Sequence, residues 1–313
     1  MMKSRILFVL PLVAGISLSA TLLIFIAMAA VASGQQRDDR MQIPDIPTEK
    51  VEMLVDLGGR KLDCCIYGEG SPTILLLSGG RAPQVYWNPV VPDLAEKTTV
   101  LTYDRSGCGK SPLGDLPTHG VQAAKDLDSL LKALNLPKPY IVVGHSYGGK
   151  VARLFTSMYP DDVGGLILED TQHEDVLQEE RKILKGEDLR TFEEMVAMMK
   201  GRDPPVTEID YISTTAEQVR ESGPLPEIPF VVISSGKRLK SAPREFSEEG
   251  QEALAKLNME LQERLVNLIP GGRQIIVEDV GHNIHVEKPD ALIIPVLEMV
   301  EKLRRSGQTP QSR

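Results

Sequence analysis

The segment Gly144-His145-Ser146-Tyr147-Gly148-Gly149 constrains this chain more than any other, because it joins two regular elements through a single serine. Upstream, Pro139-Tyr140-Ile141-Val142-Val143 is apolar and rich in β-branched residues and predicts a buried strand. Downstream, Val151, Leu154 and Phe155 recur at helical spacing. A turn this tight forces strained backbone angles on Ser146, and side chains at 144 and 148 would collide across it, so glycine is required there. The pattern therefore predicts an exposed Ser146 hydroxyl at the carboxyl edge of a sheet, beside the positive end of a helix.

The N-terminus reads as a separate unit, residues 1–33. Lys3 and Arg5 precede an uncharged apolar run over 6–32, longer than the about 20 residues that span a bilayer core. It is expected to be a transmembrane anchor, or else a signal segment with Ala30-Val31-Ala32 as its cleavage site. Either way the basic N-terminus favours the cytoplasm and puts the globular part on the extracytoplasmic side, membrane-bound or secreted. Residues 34–50 are polar, carry Pro44 and Pro47, and read as a tether. A net charge of −9 without a basic stripe argues against nucleic acid as a partner. The three cysteines, Cys64, Cys65 and Cys108, form neither a disulfide framework nor a metal-ligand spacing and read as small packed side chains.

From 51 to 305 strands and helices alternate. Val51–Leu57 and Arg60–Tyr67 predict a hairpin turning at Gly58-Gly59. Strands follow at Thr73–Leu77, Thr98–Tyr103, before Ser146, at Gly165–Glu169, Phe230–Ser234 and Gln274–Val277. Helices are expected at Val91–Glu96, around Val121–Leu134, after Ser146, over about Glu248–Leu268 and at Asp290–Leu303, with a flexible tail over 306–313. The alternation predicts an α/β fold, a mostly parallel twisted sheet with helices on both faces and a site at the carboxyl edge of its strands. Residues 171–226 break the rhythm. They lack a clear strand, and Ile183, Leu184, Leu189, Phe192, Met195, Val196 and Met199 predict two or three amphipathic helices forming a cap. Acids outnumber bases in the cap, which reads as a solvated acidic face.

Four motifs in order then give the chain a family likeness. They are Leu77-Ser78-Gly79-Gly80 after the third strand, Tyr103-Asp104-Arg105-Ser106-Gly107-Cys108-Gly109-Lys110-Ser111 after the fourth, the Ser146 turn, and Gly281-His282 after the last strand. With these the chain resembles the serine-nucleophile branch of the α/β-hydrolase fold superfamily. The resemblance implies a Ser-acid-His triad in that order. Ser146 is then the nucleophile and His282 its base, with His285 as rival. His119, His145 and His173 are assigned packing or surface roles. Many members carry the acid after the penultimate strand, where Ser234-Ser235-Gly236-Lys237-Arg238-Leu239 has no carboxylate; other branches place it after the strand that follows the serine helix, and the resemblance to those implies Asp170. Glu169 should point to the other face, Asp279 lies too close in sequence to His282, and Asp104 should order its own loop. The oxyanion is expected on the backbone N–H groups of Tyr147 and Gly80. The resemblance implies a serine hydrolase acting on a small apolar carboxylic ester, with no cofactor and no metal. The same triad on a thioester, amide or carbon–carbon bond, and a ligand sensor with little turnover, remain alternatives.

Deleting residues 1–36 is expected to leave a soluble, active protein, because the globular part begins only near Val51. The full-length chain should partition with membranes and resist carbonate extraction. A secreted species beginning near Ser33 would assign a cleaved signal instead.

Overall fold

A computed structural model describes residues 50–198, 206–239, 243 and 245–308. The apolar run over 6–32, and the anchor or signal expected there, lies outside the described residues. Among the described residues no helix is long and apolar enough to cross a membrane.

Eight strands form one sheet: β1 (Lys50–Asp56), β2 (Lys61–Tyr67), β3 (Thr73–Leu77), β4 (Val100–Tyr103), β5 (Tyr140–His145), β6 (Val163–Glu169), β7 (Phe230–Ser235) and β8 (Arg273–Val277). Their spatial order is β1-β2-β4-β3-β5-β6-β7-β8. β2 pairs antiparallel with both β1 and β4, and all other pairings are parallel. The β1–β2 hairpin turns at Gly58 and Gly59, whose φ values of 75° and 82° suit residues without a Cβ.

The central strands are largely apolar because helices cover both faces. Strand periodicity divides them between two cores. Leu75, Leu77, Val142, Leu166 and Leu168 pack with the helices Gly120–Leu134 and Tyr147–Met158. Ile74, Leu76, Ile141, Val143 and Ile167 pack on the opposite side with Trp87 and the helices Val91–Ala95 and Asp290–Gln308. All three cysteines are buried and free.

Parallel register brings the ends of the central strands to one edge. Leu77 lies opposite Gly144, His145 opposite Glu169, Glu169 opposite Ile233, and Ser235 opposite Val277. Among the described residues, three helices, Val176–Ile183, Gly186–Met198 and Ile212–Glu221, lie between β6 and β7. Leu184, Phe192 and Met195 of this insert join Phe246 and Leu254, and Val176 joins Leu257 and Leu261 of the helix Glu248–Val266. Helix Ile212–Glu221 also caps another helix: Thr215 Oγ1 accepts from Gly120 N, and Gln218 Oε1 from Val121 N.

The insert's acids do not all form a solvated face. Glu174 is buried in a two-pronged ion pair with Arg153 of the helix Tyr147–Met158, at 2.5 and 2.9 Å. Glu208 is buried against Arg105. Sequence composition conceals this, because it counts a buried ion pair and a solvated acid alike.

Truncating Glu174 to Ala strands a buried guanidinium and is expected to lower stability by about 3–5 kcal/mol, read from urea denaturation. Combining Arg153→Met with Glu174→Leu removes both charges and should recover most of the loss. Equal losses in the single and double variants would sink the account.

Candidate active site

Ser146 is the only residue between β5 and the helix Tyr147–Met158, and it sits at φ 52° and ψ −118°. The surrounding packing holds this strained angle. A Cβ on Gly144 would lie 2.6 Å from Gly149 Cα, and one on Gly148 would lie 2.2 Å from the Leu77 carbonyl oxygen. Ser146 N donates to Glu169 O at 3.0 Å, which ties the turn to β6. From 140 to 156, Ser146 alone is not buried.

The loop after β3 reaches the same point. A Cβ on Gly79 would lie 2.9 Å from His145 Nδ1 and 3.5 Å from Ser146 Cβ. Tyr147 N is the first N–H of its helix and so has no partner four residues back. The Arg81 N–H is already taken by Glu208 Oε1 at 2.5 Å.

Asp170 follows β6 at φ 44°. His282 comes from the loop after β8, and its Nδ1 lies 2.6 Å from Asp170 Oδ2. Ionised carboxylates only accept hydrogen bonds, so Nδ1 carries the proton and Nε2 is the basic nitrogen. The second carboxylate oxygen, Oδ1, accepts from Ser235 N at 3.1 Å. His282 is drawn towards the Ser146 turn by its own backbone, whose carbonyl bonds His145 Nε2 at 3.0 Å.

A family model for the alpha/beta hydrolase fold matches residues 72–197. The protein YqjL of Bacillus subtilis (strain 168) is 25% identical over 232 residues, covering 74% of this chain and 85% of YqjL. A fluoroacetate dehalogenase of Burkholderia sp is 34% identical over 122 residues, covering 37% of this chain and 40% of the dehalogenase. Among solved structures, a thermophilic esterase from Thermogutta terrifontis matches with a TM-score of 0.53 at 20% identity, covering 82% of this chain and 99% of the esterase. The chain has the α/β-hydrolase fold.

In this α/β-hydrolase fold the loop after β7 supplies a cation. Gly236–Leu239 forms a short helix, from which Arg238 Nη1 reaches Asp170 Oδ2 at 2.5 Å and His282 Nδ1 at 2.9 Å. Because Nδ1 carries its proton, the second contact sets donor against donor and opposes further charge on the ring. Burial would raise the Asp170 carboxyl, but Arg238 and His282 outweigh it and hold it well below the usual carboxylate range. For His282, burial and then Arg238 hold the imidazole below its ordinary value, against the opposing pull of Asp170 and Glu169.

Sequence reasoning missed Arg238. The available signal was a Lys237-Arg238 pair in a loop lacking the expected acid. It also missed a second buried acid–histidine pair. Glu169 turns away from Asp170, as strand alternation requires, and its Oε1 accepts from His285 N at 2.8 Å and His285 Nδ1 at 2.9 Å. Trp87 stacks on His285 with ring centroids 4.4 Å apart and lies 6.4 Å from His145.

Among the described residues, His145, Glu169 and His285 are the group that could hold a metal ion, with ligand atoms within 4.8 Å of one another. Hydrogen bonds to His285 already occupy Glu169, and His145 Nε2 bonds the His282 carbonyl. Only His285 Nε2 of these stays buried without a partner among the described residues. Asp104 orders its loop by accepting from Gln84 N and Lys110 N. His119 caps the helix Gly120–Leu134 through Gln122 N, and His173 is buried beside Glu174.

A depressed His282 stays neutral, and so basic, to lower pH. The acid limb of kcat/KM is therefore expected below about pH 6.5, the ordinary histidine value. Arg238→Gln removes the opposing charge and should move that limb upward. A pH–rate profile measured on both proteins checks this, and an unmoved limb would refute it.

Proposed function

We propose that this α/β-hydrolase is a serine hydrolase that cleaves small, apolar carboxylic esters through an acyl-enzyme. The observation that carries the reading is an accessible serine on a strained strand-to-helix turn, at the same sheet edge as His282, which is joined at 2.6 Å to the buried carboxylate of Asp170. Ser146 Oγ attacks the carbonyl carbon as His282 Nε2 takes its proton. The N–H groups of Tyr147 and Gly80 hold the resulting oxyanion, and each such donor stabilises the transition state by about 2.7–4 kcal/mol. Two facts support this choice of donors: Tyr147 opens its helix, and Glu208 already occupies the Arg81 N–H. Collapse of the intermediate expels the alcohol, which receives the proton from His282. Water then adds to the acyl carbon with His282 as base, releasing the acid and restoring Ser146.

Asp170 holds the Nδ1–H tautomer and stabilises the imidazolium that forms in each step. A serine at the turn, where a carboxylate would be needed to form an ester intermediate with an alkyl halide, separates this reading from the dehalogenase chemistry named for one relative. Attachment to a membrane through residues 6–32, with the catalytic part on the extracytoplasmic side, belongs to the same proposal and rests on the sequence alone.

Turnover of short aryl esters and labelling by a fluorophosphonate are the tests. Ser146→Ala is expected to abolish labelling and lower kcat on the order of 10⁶ without unfolding the protein. Asp170→Asn keeps the shape but favours the wrong tautomer, with an expected loss on the order of 10⁴. Glu245→Gln and Glu248→Gln should stay near wild type. Retained turnover in Ser146→Ala would overturn the nucleophile, and a collapse confined to the Glu245 or Glu248 variant would move the acid to the region after β7. Release of a single acyl group per protein would favour a sensor over an enzyme.

A further inference from the structure

The described part of the insert between β6 and β7 does more than lie over the sheet edge: through one side chain it reaches the loop that carries the Gly80 N–H. Glu208 and Arg105 form a buried ion pair, with side chains 3% and 4% exposed. Arg105 Nε donates to Glu208 Oε2 at 2.6 Å and Nη2 to Oε1 at 2.9 Å, a two-pronged grip that fixes the guanidinium plane. The outer edge of that plane then donates to two successive carbonyls of the loop after β3. Nη1 donates to Ser78 O at 2.8 Å and Nη2 to Gly79 O at 2.7 Å.

Those two carbonyls decide where the next amides point. In a planar trans peptide the C=O and the N–H point in opposite directions. With Gly79 O held by Arg105, the Gly80 N–H must face away from Arg105, and with Ser78 O held, the Gly79 N–H must do the same. Glu208 also fixes the far end of the loop, where Arg81 sits at φ 58° and gives its N–H to Oε1. That grip stabilises a backbone angle which a side-chain-bearing residue rarely adopts.

The other arm is reached as well. The Arg105 guanidinium lies 5.4 Å from the centre of the Tyr147 ring. The Tyr147 hydroxyl lies 3.2 Å from Thr215 Oγ1, on the insert helix Ile212–Glu221. Both residues whose N–H groups are assigned to the oxyanion are thus supported by side chains of the insert.

We infer that Glu208 is a positioning residue for the oxyanion site: through Arg105 it locks the Gly79–Gly80 peptide in the orientation that offers the Gly80 N–H, so that the site is complete only with the insert docked. The inference rests on the serine-hydrolase reading above. Without the Glu208 charge, Arg105 loses its grip on the two carbonyls, leaving the turn bond from Ala82 N to Gly79 O, 3.2 Å long, to hold the Gly79–Gly80 peptide. Substrate binding through the acyl chain is untouched, whereas stabilisation of the developing oxyanion is lost.

Glu208→Gln is therefore expected to lower kcat on a short aryl ester by 10- to 100-fold with KM within twofold. The affinity for an aryl boronic acid, which adds to the serine as a tetrahedral anion, should fall by the same factor. Arg105→Lys is the second variant. It keeps a positive charge opposite Glu208 but cannot grip two carbonyls and a carboxylate together, and the same losses are expected should Glu208→Gln fail to fold. A kcat and boronate affinity within twofold of wild type in a folded variant would overturn the inference, as would a raised KM at unchanged kcat. Hydrolysis retained by Ser146→Ala would instead overturn the serine reading itself, which keeps the two failures distinct.

Discussion

A strand can pass into a helix through one residue only where backbone meets backbone with no side chain between. That close approach is the constraint on which the rest of this site depends. Gly148 packs onto the carbonyl at the end of β3, and Gly144 packs onto the first turn of the helix that follows Ser146. The strain at Ser146 is therefore borne by sheet and helix together, and β5 and the helix from Tyr147 to Thr156 are buried. Because β3, β5, β6, β7 and β8 are parallel and in register, the segments that follow them reach the same edge. Ser146, the Gly79–Gly80 loop, Asp170, Arg238 and His282 meet there although they are up to 203 positions apart in the chain.

The charged framework around this edge has a common design. Arg153 holds Glu174, Arg105 holds Glu208, and Arg238 holds Asp170. In each pair the carboxylate belongs to the stretch between the end of β6 and the start of β7, and the arginine belongs to an element outside it. Each pair costs desolvation, and a planar two-pronged guanidinium is the side chain best able to offset it. The framework confers orientation more than stability, since well-packed apolar residues would hold the pieces together at least as well.

Much of this was legible in the sequence, and the rest was hidden for definite reasons. Buried parallel strands appear as uninterrupted apolar runs, and Thr73–Leu77 falls where it was expected. Boundaries drifted where neighbouring contacts decide them. β6 starts at Val163 because its pairing with β5 begins there, and the last helix runs past Leu303 to Gln308. The expectation of Asp170 came from a missing carboxylate after β7 and from the branches that place the acid after β6, and the structure sets its carboxylate 2.6 Å from His282 Nδ1. The Lys237-Arg238 pair signalled a cation in this loop but not its role, because nothing local to Gly236-Lys237-Arg238 says which way the residue will reach. Glu208 was hidden more thoroughly: it is one acid among many in an acidic stretch, and its partner lies 103 positions away. Glu169–His285 was concealed because strand alternation says only that Glu169 faces away from Asp170, and gives no hint of what waits on that face.

The second face has an optical consequence. Trp87 is the only tryptophan in the chain, and it is fully buried against His285 and edge-on to His145, whose own ring lies 4.5 Å from that of His282. The indole emission of the whole protein therefore originates one aromatic layer beneath the proposed reaction centre. A displacement of the loop that carries His282 changes the field at the indole. Intrinsic tryptophan fluorescence of the unlabelled protein thus reports on the packing of this histidine cluster rather than on an average over distant sites.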